Sequence, residues 1–247
     1  MMLTIMRQDM LNLLKNRPIM TYLVVYPPLL ILITGFSFNG IFSDYVLTAY
    51  DYYGITMMIY LSMATVIILP ELLFGSQVKY ANYRIVYAPI ARAKVYLSKL
   101  LVSIGFSYAI LASYMLIFNA SGLVDYGGKS IGSLLFLTLV LVIFSITLGG
   151  AFCVLLKNED LSTKLLNLLI NVLAVASGLF FPMYIFGKSI AKIANMSPIA
   201  KVSDNFFGII YANNFHELAG TIGILLICSA IFLAIIHVLY HPEKFKG

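Results

Sequence analysis

Residues 131–156 read IGSLLFLTLVLVIFSITLGGAFCVLL, a run without a single charged side chain. A helix of about 20 apolar residues crosses a hydrocarbon core of roughly 30 Å, so this stretch predicts a membrane span. Residues 19–38, 54–74, 100–118, 165–186 and 218–240 repeat the pattern. Composition agrees: of 247 residues, 61% are hydrophobic and only 11% charged, against roughly 25% charged in soluble domains. Backbone amides in lipid need partners within the chain, so each span must be helical. The expected fold is an all-α membrane protein with six transmembrane helices, forming one transmembrane domain over residues 1–247.

Membrane insertion sorts cations by side. Arg7, Lys15 and Arg17 precede the first span, and Lys79, Arg84, Arg92, Lys94 and Lys99 connect the second to the third. Lys157 and Lys164 connect the fourth to the fifth, and Lys244 and Lys246 lie in the tail. These twelve of the sixteen Lys and Arg share one side; Lys129, Lys188, Lys192 and Lys201 take the other. The positive-inside rule then places both termini in the cytoplasm, as an even number of spans requires. The net charge of +6 reports topology and calls for no nucleic-acid partner. Residues 1–17 have no apolar core followed by a small-residue cleavage site, so no cleavable signal peptide is expected. Cys153 and Cys228 lie in separate apolar runs at no metal or disulfide spacing, where a thiol packs as a small hydrophobe.

Four segments carry further information. Met2, Leu3, Met6, Met10, Leu13 and Leu14 share one helical face, and Thr4, Gln8, Asp9, Asn12, Lys15 and Asn16 the other. That pattern predicts an in-plane amphipathic helix at the headgroup boundary, separated from the first span by Pro18; the plainer reading is a topogenic lead-in. Residues 76–94 bring cations together with Tyr80, Tyr83 and Tyr87 at helical spacing, broken by Pro89. This short cytoplasmic helix either docks a partner through its Arg and Tyr side chains or carries them only as topology and interface anchors. Residues 180–217 are too apolar for a solvated loop and too interrupted for a span. They predict two short helices at the outer leaflet, separated at Pro198, forming a broken re-entrant hairpin that acts as a gate or as a cap. Pro27 and Pro28 remove two amides from the middle of the first span and must kink it.

An enzyme or ion-coupled carrier would place ionisable groups inside its spans. Glu71 lies near the inner end of the second span, while Asp44, Asp51, Asp125, Asp204 and Glu217 fall in or beside outer loops, so no membrane-buried carboxylate pair is expected. His237 and His241 have metal-ligand spacing, but Val238 stands where a zinc protease has Glu, and they read as interfacial histidines. The stretch from Gly122 to Ser130 has one residue too many for a phosphate loop. The chain is expected to be no enzyme, with no catalytic residue and no metal or cofactor site; any energy from ATP must come from a separate subunit. Asn167 and Asn171 lie one turn apart in the fifth span, where they either bond across helices or line a polar path. Gly149-Gly150 predicts a close helix contact.

The in-plane helix, six spans, basic cytoplasmic helix and broken outer hairpin together resemble the ABC type-2 permease family over essentially the whole chain. Ala88-Pro89-Ile90-Ala91-Arg92, with Tyr96 and Lys99-Leu100-Leu101, is similar to the family's small-Pro-x-small-Arg turn and the Lys opening span three. Ser177-Gly178-Leu179-Phe180-Phe181-Pro182 and Ile193-Ala194-Asn195-Met196-Ser197-Pro198 resemble its outer gate. One departure stands out: many members carry acidic residues around a Gly-Thr pair before the turn, where this chain has Ser76-Gln77-Val78-Lys79-Tyr80-Ala81-Asn82-Tyr83-Arg84. The interface is expected to be specialised to its own ATPase in consequence.

The resemblance implies a coupling helix at residues 79–88 that docks on an ABC ATPase, with Lys79, Tyr80, Tyr83, Arg84, Tyr87, Pro89 and Arg92 at the interface. It implies two permease chains, alike or unlike, and two ATPase chains that bind ATP and Mg, in a bacterial cytoplasmic membrane. Spans one, two and five would line the path, with Pro27, Pro28, Asn167, Asn171, Phe180, Phe181 and Pro182 along it or at its gate. Short outer loops and an apolar path with scattered Tyr, Asn and Met suit export of a hydrophobic or amphipathic cargo. Relatives of this kind include antimicrobial-peptide immunity and phenol-soluble modulin exporters, so an amphipathic peptide is the first expectation. Lipid, drug or polysaccharide cargo and a secondary transporter are the alternatives.

Overall fold

The structure, a computed structural model, describes residues 2–42, 47–75, 78, 82, 91–183, 187, 189, 194 and 197–240. The described residues are mostly helical and contain no strand. The main helices are α1 (Met2–Lys15), α2 (Arg17–Ser37), α3 (Ala49–Phe74), α4 (Arg92–Ala120), α5 (Ile131–Leu156), α6 (Glu159–Ala176), α7 (Pro198–Ala212) and α8 (Leu218–Leu239). Five of these, α2, α3, α4, α5 and α8, are long and apolar enough to cross a membrane. Side-chain caps set several starts. Asn16 Oδ1 accepts from the Ile19 amide at 3.2 Å, Thr48 Oγ1 from Asp51 at 3.1 Å and Asn158 Oδ1 from Leu161 at 3.0 Å. Each satisfies an amide that the first helical turn leaves without a partner.

The second span begins at Ala49 rather than residue 54, and two other spans differ from expectation for clear reasons. The third span begins at Arg92 rather than at residue 100, because Lys99 is buried inside the helical bundle. Its Nζ lies 2.7 Å from Asp9 Oδ1, with side chains 0% and 3% exposed. The fifth expected span, 165–186, is replaced by α6, which starts at Glu159 and stops at Ala176. Gly178 then turns the chain at φ +80°, a left-handed conformation that favours glycine, and no helix continues through Pro182. With Glu159, Asp160 and Lys164 in its first two turns, α6 is not among the helices that meet the length and apolarity of a span. Most of residues 184–196 lie outside the described residues. Pro198 opens α7, where Ser197 caps the Ile199 amide.

The amphipathic α1 is also rotated from expectation. It buries Ile5, Asp9 and Leu13 and leaves Leu3 80% exposed. The sequence pattern places Asp9 on the polar face, but its partner Lys99 draws it against α4.

The hub of the chain is α3, whose apolar window is 83% buried, against 28% for α2 and 17% for α8. Both flanking irregularities have identifiable causes. Ahead of Pro27 and Pro28, α2 widens into a π-helical stretch, Thr21–Val25, in which the Tyr26 amide bonds Thr21 O. Pro28 cannot donate to Val24 O; the Tyr114 hydroxyl of α4 does so at 2.6 Å. Removing that hydroxyl with Tyr114→Phe leaves the part-buried Val24 carbonyl without this donor and should cost about 1 kcal/mol, read as a lowered unfolding midpoint in detergent.

In α3, Pro70 cannot donate to Val66 O, and the preceding turn tightens to a 3-10 stretch, Thr65–Ile67. Ser145 of α5 donates to Met63 O, and Gly149 lies directly against Val66 O. The expected close contact at Gly149-Gly150 is therefore where α5 fits the bend in α3.

Candidate substrate path and coupling joint

One polar and aromatic cluster joins α2, α3 and α6. The Tyr60 hydroxyl of α3 donates to Asn171 Oδ1 of α6 at 2.9 Å, and Tyr22 of α2 lies beside Tyr60. Asn171 Nδ2 then donates to the Asn167 carbonyl at 2.8 Å. Tyr22 packs on Tyr26 at 5.4 Å between ring centroids, and Tyr60 meets Phe180 edge to face at 5.0 Å. The structure thus brings Asn171 and Phe180 together, with only the backbone of Asn167 taking part. Tyr22 and Tyr60 were missed in sequence, since a tyrosine within an apolar run carries no periodic signal.

The segment after α6 hangs from the N-terminal end of α3. Tyr53 donates to Phe180 O at 3.1 Å and Tyr52 to Gly178 O at 2.5 Å. Phe181 meets Phe38 edge to face at 5.6 Å, and Pro182 is buried. Ser177 and Ser197 share a hydrogen bond of 2.6 Å, which clasps the two ends of the expected gate segment. Pro27 is buried and Pro28 half-buried at the α2 irregularity.

At the opposite end, α3 meets α1 and α6. Asn16 Nδ2 donates to Glu71 Oε1 at 3.2 Å, and Asn82 Nδ2 donates to the Leu72 and Leu73 carbonyls at 2.9 and 2.8 Å. Asn82 so caps the end of α3 and ties the following segment to it. The Glu159 carboxyl, in the first turn of α6 before its apolar part, is held above the usual carboxylate range by burial and by the facing Glu71 carboxyl. Glu71 and Glu159, 88 positions apart and both half-buried, come together because α3 ends where α6 begins. A carboxyl protonated more readily in the fold favours stability as pH falls from neutral toward the unfolded value and disfavours it as pH rises. Glu159→Gln should therefore raise the unfolding midpoint at pH 7 and flatten its increase on acidification.

The remaining sequence candidates have structural roles or fall elsewhere. Lys79, Tyr80, Tyr83, Arg84, Tyr87 and Pro89 lie outside the described residues, as does His241; Arg92 opens α4 at an exposed position. His237 Nδ1 shares a hydrogen bond with the Tyr96 hydroxyl at 2.7 Å, joining α8 to α4. The Gly127 amide bonds Asp125 Oδ1, which fixes the Gly-rich turn locally.

These helices belong to a polytopic membrane protein, and the family model for the ABC-2 type transporter matches residues 2–211. The chain belongs to the ABC-2 type transporter family. It is a membrane subunit of an ABC transporter, a class that works with an ABC ATPase. No curated protein and no solved structure matches the chain.

Proposed function

We propose that this chain is the permease of an ATP-driven exporter, and that two permeases with two ATPase subunits move an amphipathic peptide outward from a bacterial cytoplasmic membrane. The observation that carries this reading is the Tyr60–Asn171 hydrogen bond beside Phe180, with Tyr22 close to Tyr60. An uncharged surface of rings and one carboxamide offers apolar contact and hydrogen bonds while placing no fixed charge against the cargo. On either side, Leu29, Leu32, Ile33 and Phe36 of α2 and Leu168, Leu169 and Val172 of α6 are exposed. A second permease seated on those faces would enclose the path and leave Asn171, itself exposed, at its wall. Six crossings, with α6 as the fifth, and both termini in the cytoplasm complete the reading.

ATP and Mg belong to the partner ATPase in this scheme, and the coupling helix at residues 79–88 receives its motion. Asn82, bonded to the last carbonyls of α3, gives that motion a direct route to the helix that carries Tyr60. Substituting Arg84 and Tyr87 together should abolish export while the chain remains in the membrane; normal export would remove this segment from the mechanism. The path is tested separately by Asn171→Leu. Peptide-stimulated ATPase activity of the assembled complex should fall about tenfold or shift in cargo preference, and an unchanged response would exclude Asn171 from the path.

A further inference from the structure

Away from the tyrosine cluster, an open crevice of about 480 Å³ runs between α1 and α4. That lies within the roughly 300–1,000 Å³ of ligand-binding clefts. Met6 and Met10 of α1 and Leu101, Val102 and Gly105 of α4 line it, with Arg7 the only charged side chain in its wall. A Cβ placed on Gly105 would meet nothing within 4 Å, so the crevice stays open where α1 passes over α4. Asp9, the acidic residue of α1, is buried against Lys99, and Arg7 makes no ion pair with a described residue. An apolar crevice beside a membrane span favours an acyl chain over water. An arginine at its wall, on a helix lying along the headgroup boundary, matches a phosphate by bidentate hydrogen bonding. Lys15 and Arg17 add positive charge at the end of the same helix and the start of the next.

We propose that this crevice holds one acyl chain of an anionic phospholipid whose phosphate is bound by Arg7. The lipid completes the packing of α1 on α4 beside the buried Asp9–Lys99 pair. The inference requires the membrane setting and is independent of cargo or direction of transport.

The full-length chain, purified in mild detergent and equilibrated with mixed micelles of phosphatidylglycerol or phosphatidylcholine, is examined by native mass spectrometry for retained lipid. The wild-type chain should retain one phosphatidylglycerol in preference to phosphatidylcholine. Arg7→Gln should lower phosphatidylglycerol retention about fivefold, the effect of one lost cation near an anionic headgroup, and leave phosphatidylcholine unchanged. Gly105→Phe, which fills the crevice, should remove the retained lipid of either kind. Should Gly105→Phe fail to fold, Arg7→Gln on the exposed side of α1 decides alone. Wild-type retention in Arg7→Gln overturns the proposal. So does a Gly105→Phe chain that keeps its lipid but loses a dimer, because the crevice would then seat a second copy. Neither result bears on ATP-driven export, which this experiment does not read.

Discussion

Lys99→Met, made in a chain that keeps Asp9, should lower stability by about 3–5 kcal/mol, the usual cost of leaving a buried charge without its partner. Asp9 Oδ1 accepts from Lys99 Nζ at 2.7 Å, and its Oδ2 has no hydrogen-bond partner among the described residues. With Lys99 gone, the carboxylate must take up a proton, attract water or pull α1 away from α4. The paired replacement Asp9→Leu with Lys99→Met removes both charges and should recover most of the loss, because a buried pair seldom gains much over apolar residues of similar size. The two variants separate a structural clamp from a functional one. Unfolding midpoints in detergent measure stability, and export by the double variant measures whether the charges serve transport beyond holding α1 in place. The exposed Lys164–Asp160 pair of α6, although 2.6 Å long, has side chains 72% exposed and offers the contrast: its removal should barely move the midpoint.

Gly149→Ala should be comparably damaging through sterics alone. The added Cβ would lie 1.8 Å from Val66 O, a backbone atom of the bend in α3 and not the tip of a movable side chain. Either α5 moves outward or α3 straightens against Pro70, and about 3 kcal/mol is expected for such overpacking. Both outcomes would disturb the Ser145 bond to Met63 O as well. Gly223→Ala on α8 supplies the control: its Cβ would meet nothing within 4 Å, so a helix-favouring alanine should be neutral or stabilising. Equal midpoints for the two variants would refute the close fit of α5 to the bend.

Apolar runs made most spans legible. The boundaries of α5 match the uninterrupted stretch at 131–156, and those of α2 and α8 fall within two residues of expectation. Hydropathy failed where a residue's meaning depends on a distant partner. Lys99 looked like the end of a loop because Asp9 stands ninety positions earlier, and the same separation placed Asp9 on the wrong face of α1. The stop of α6 depends on a left-handed glycine and on hydroxyls from Tyr52 and Tyr53 in α3, none of which alters local apolarity. Within the candidate path, Asn171 and Phe180 were found because a carboxamide and a gate-like motif are unusual in an apolar run. Tyr22 and Tyr60 became visible only when α2, α3 and α6 came together. The proline pair in α2 did predict an irregularity, but its satisfaction by Tyr114 is a tertiary contact that no local pattern encodes.

The most direct test of the central claim is purification of the chain from its native membrane in mild detergent, with the stoichiometry of the accompanying soluble subunit and its ATPase activity measured together. The account predicts a roughly equimolar ABC ATPase whose hydrolysis rises with amphipathic peptides. Recovery of the chain alone, with transport persisting in ATP-free vesicles under an ion gradient, would contradict it.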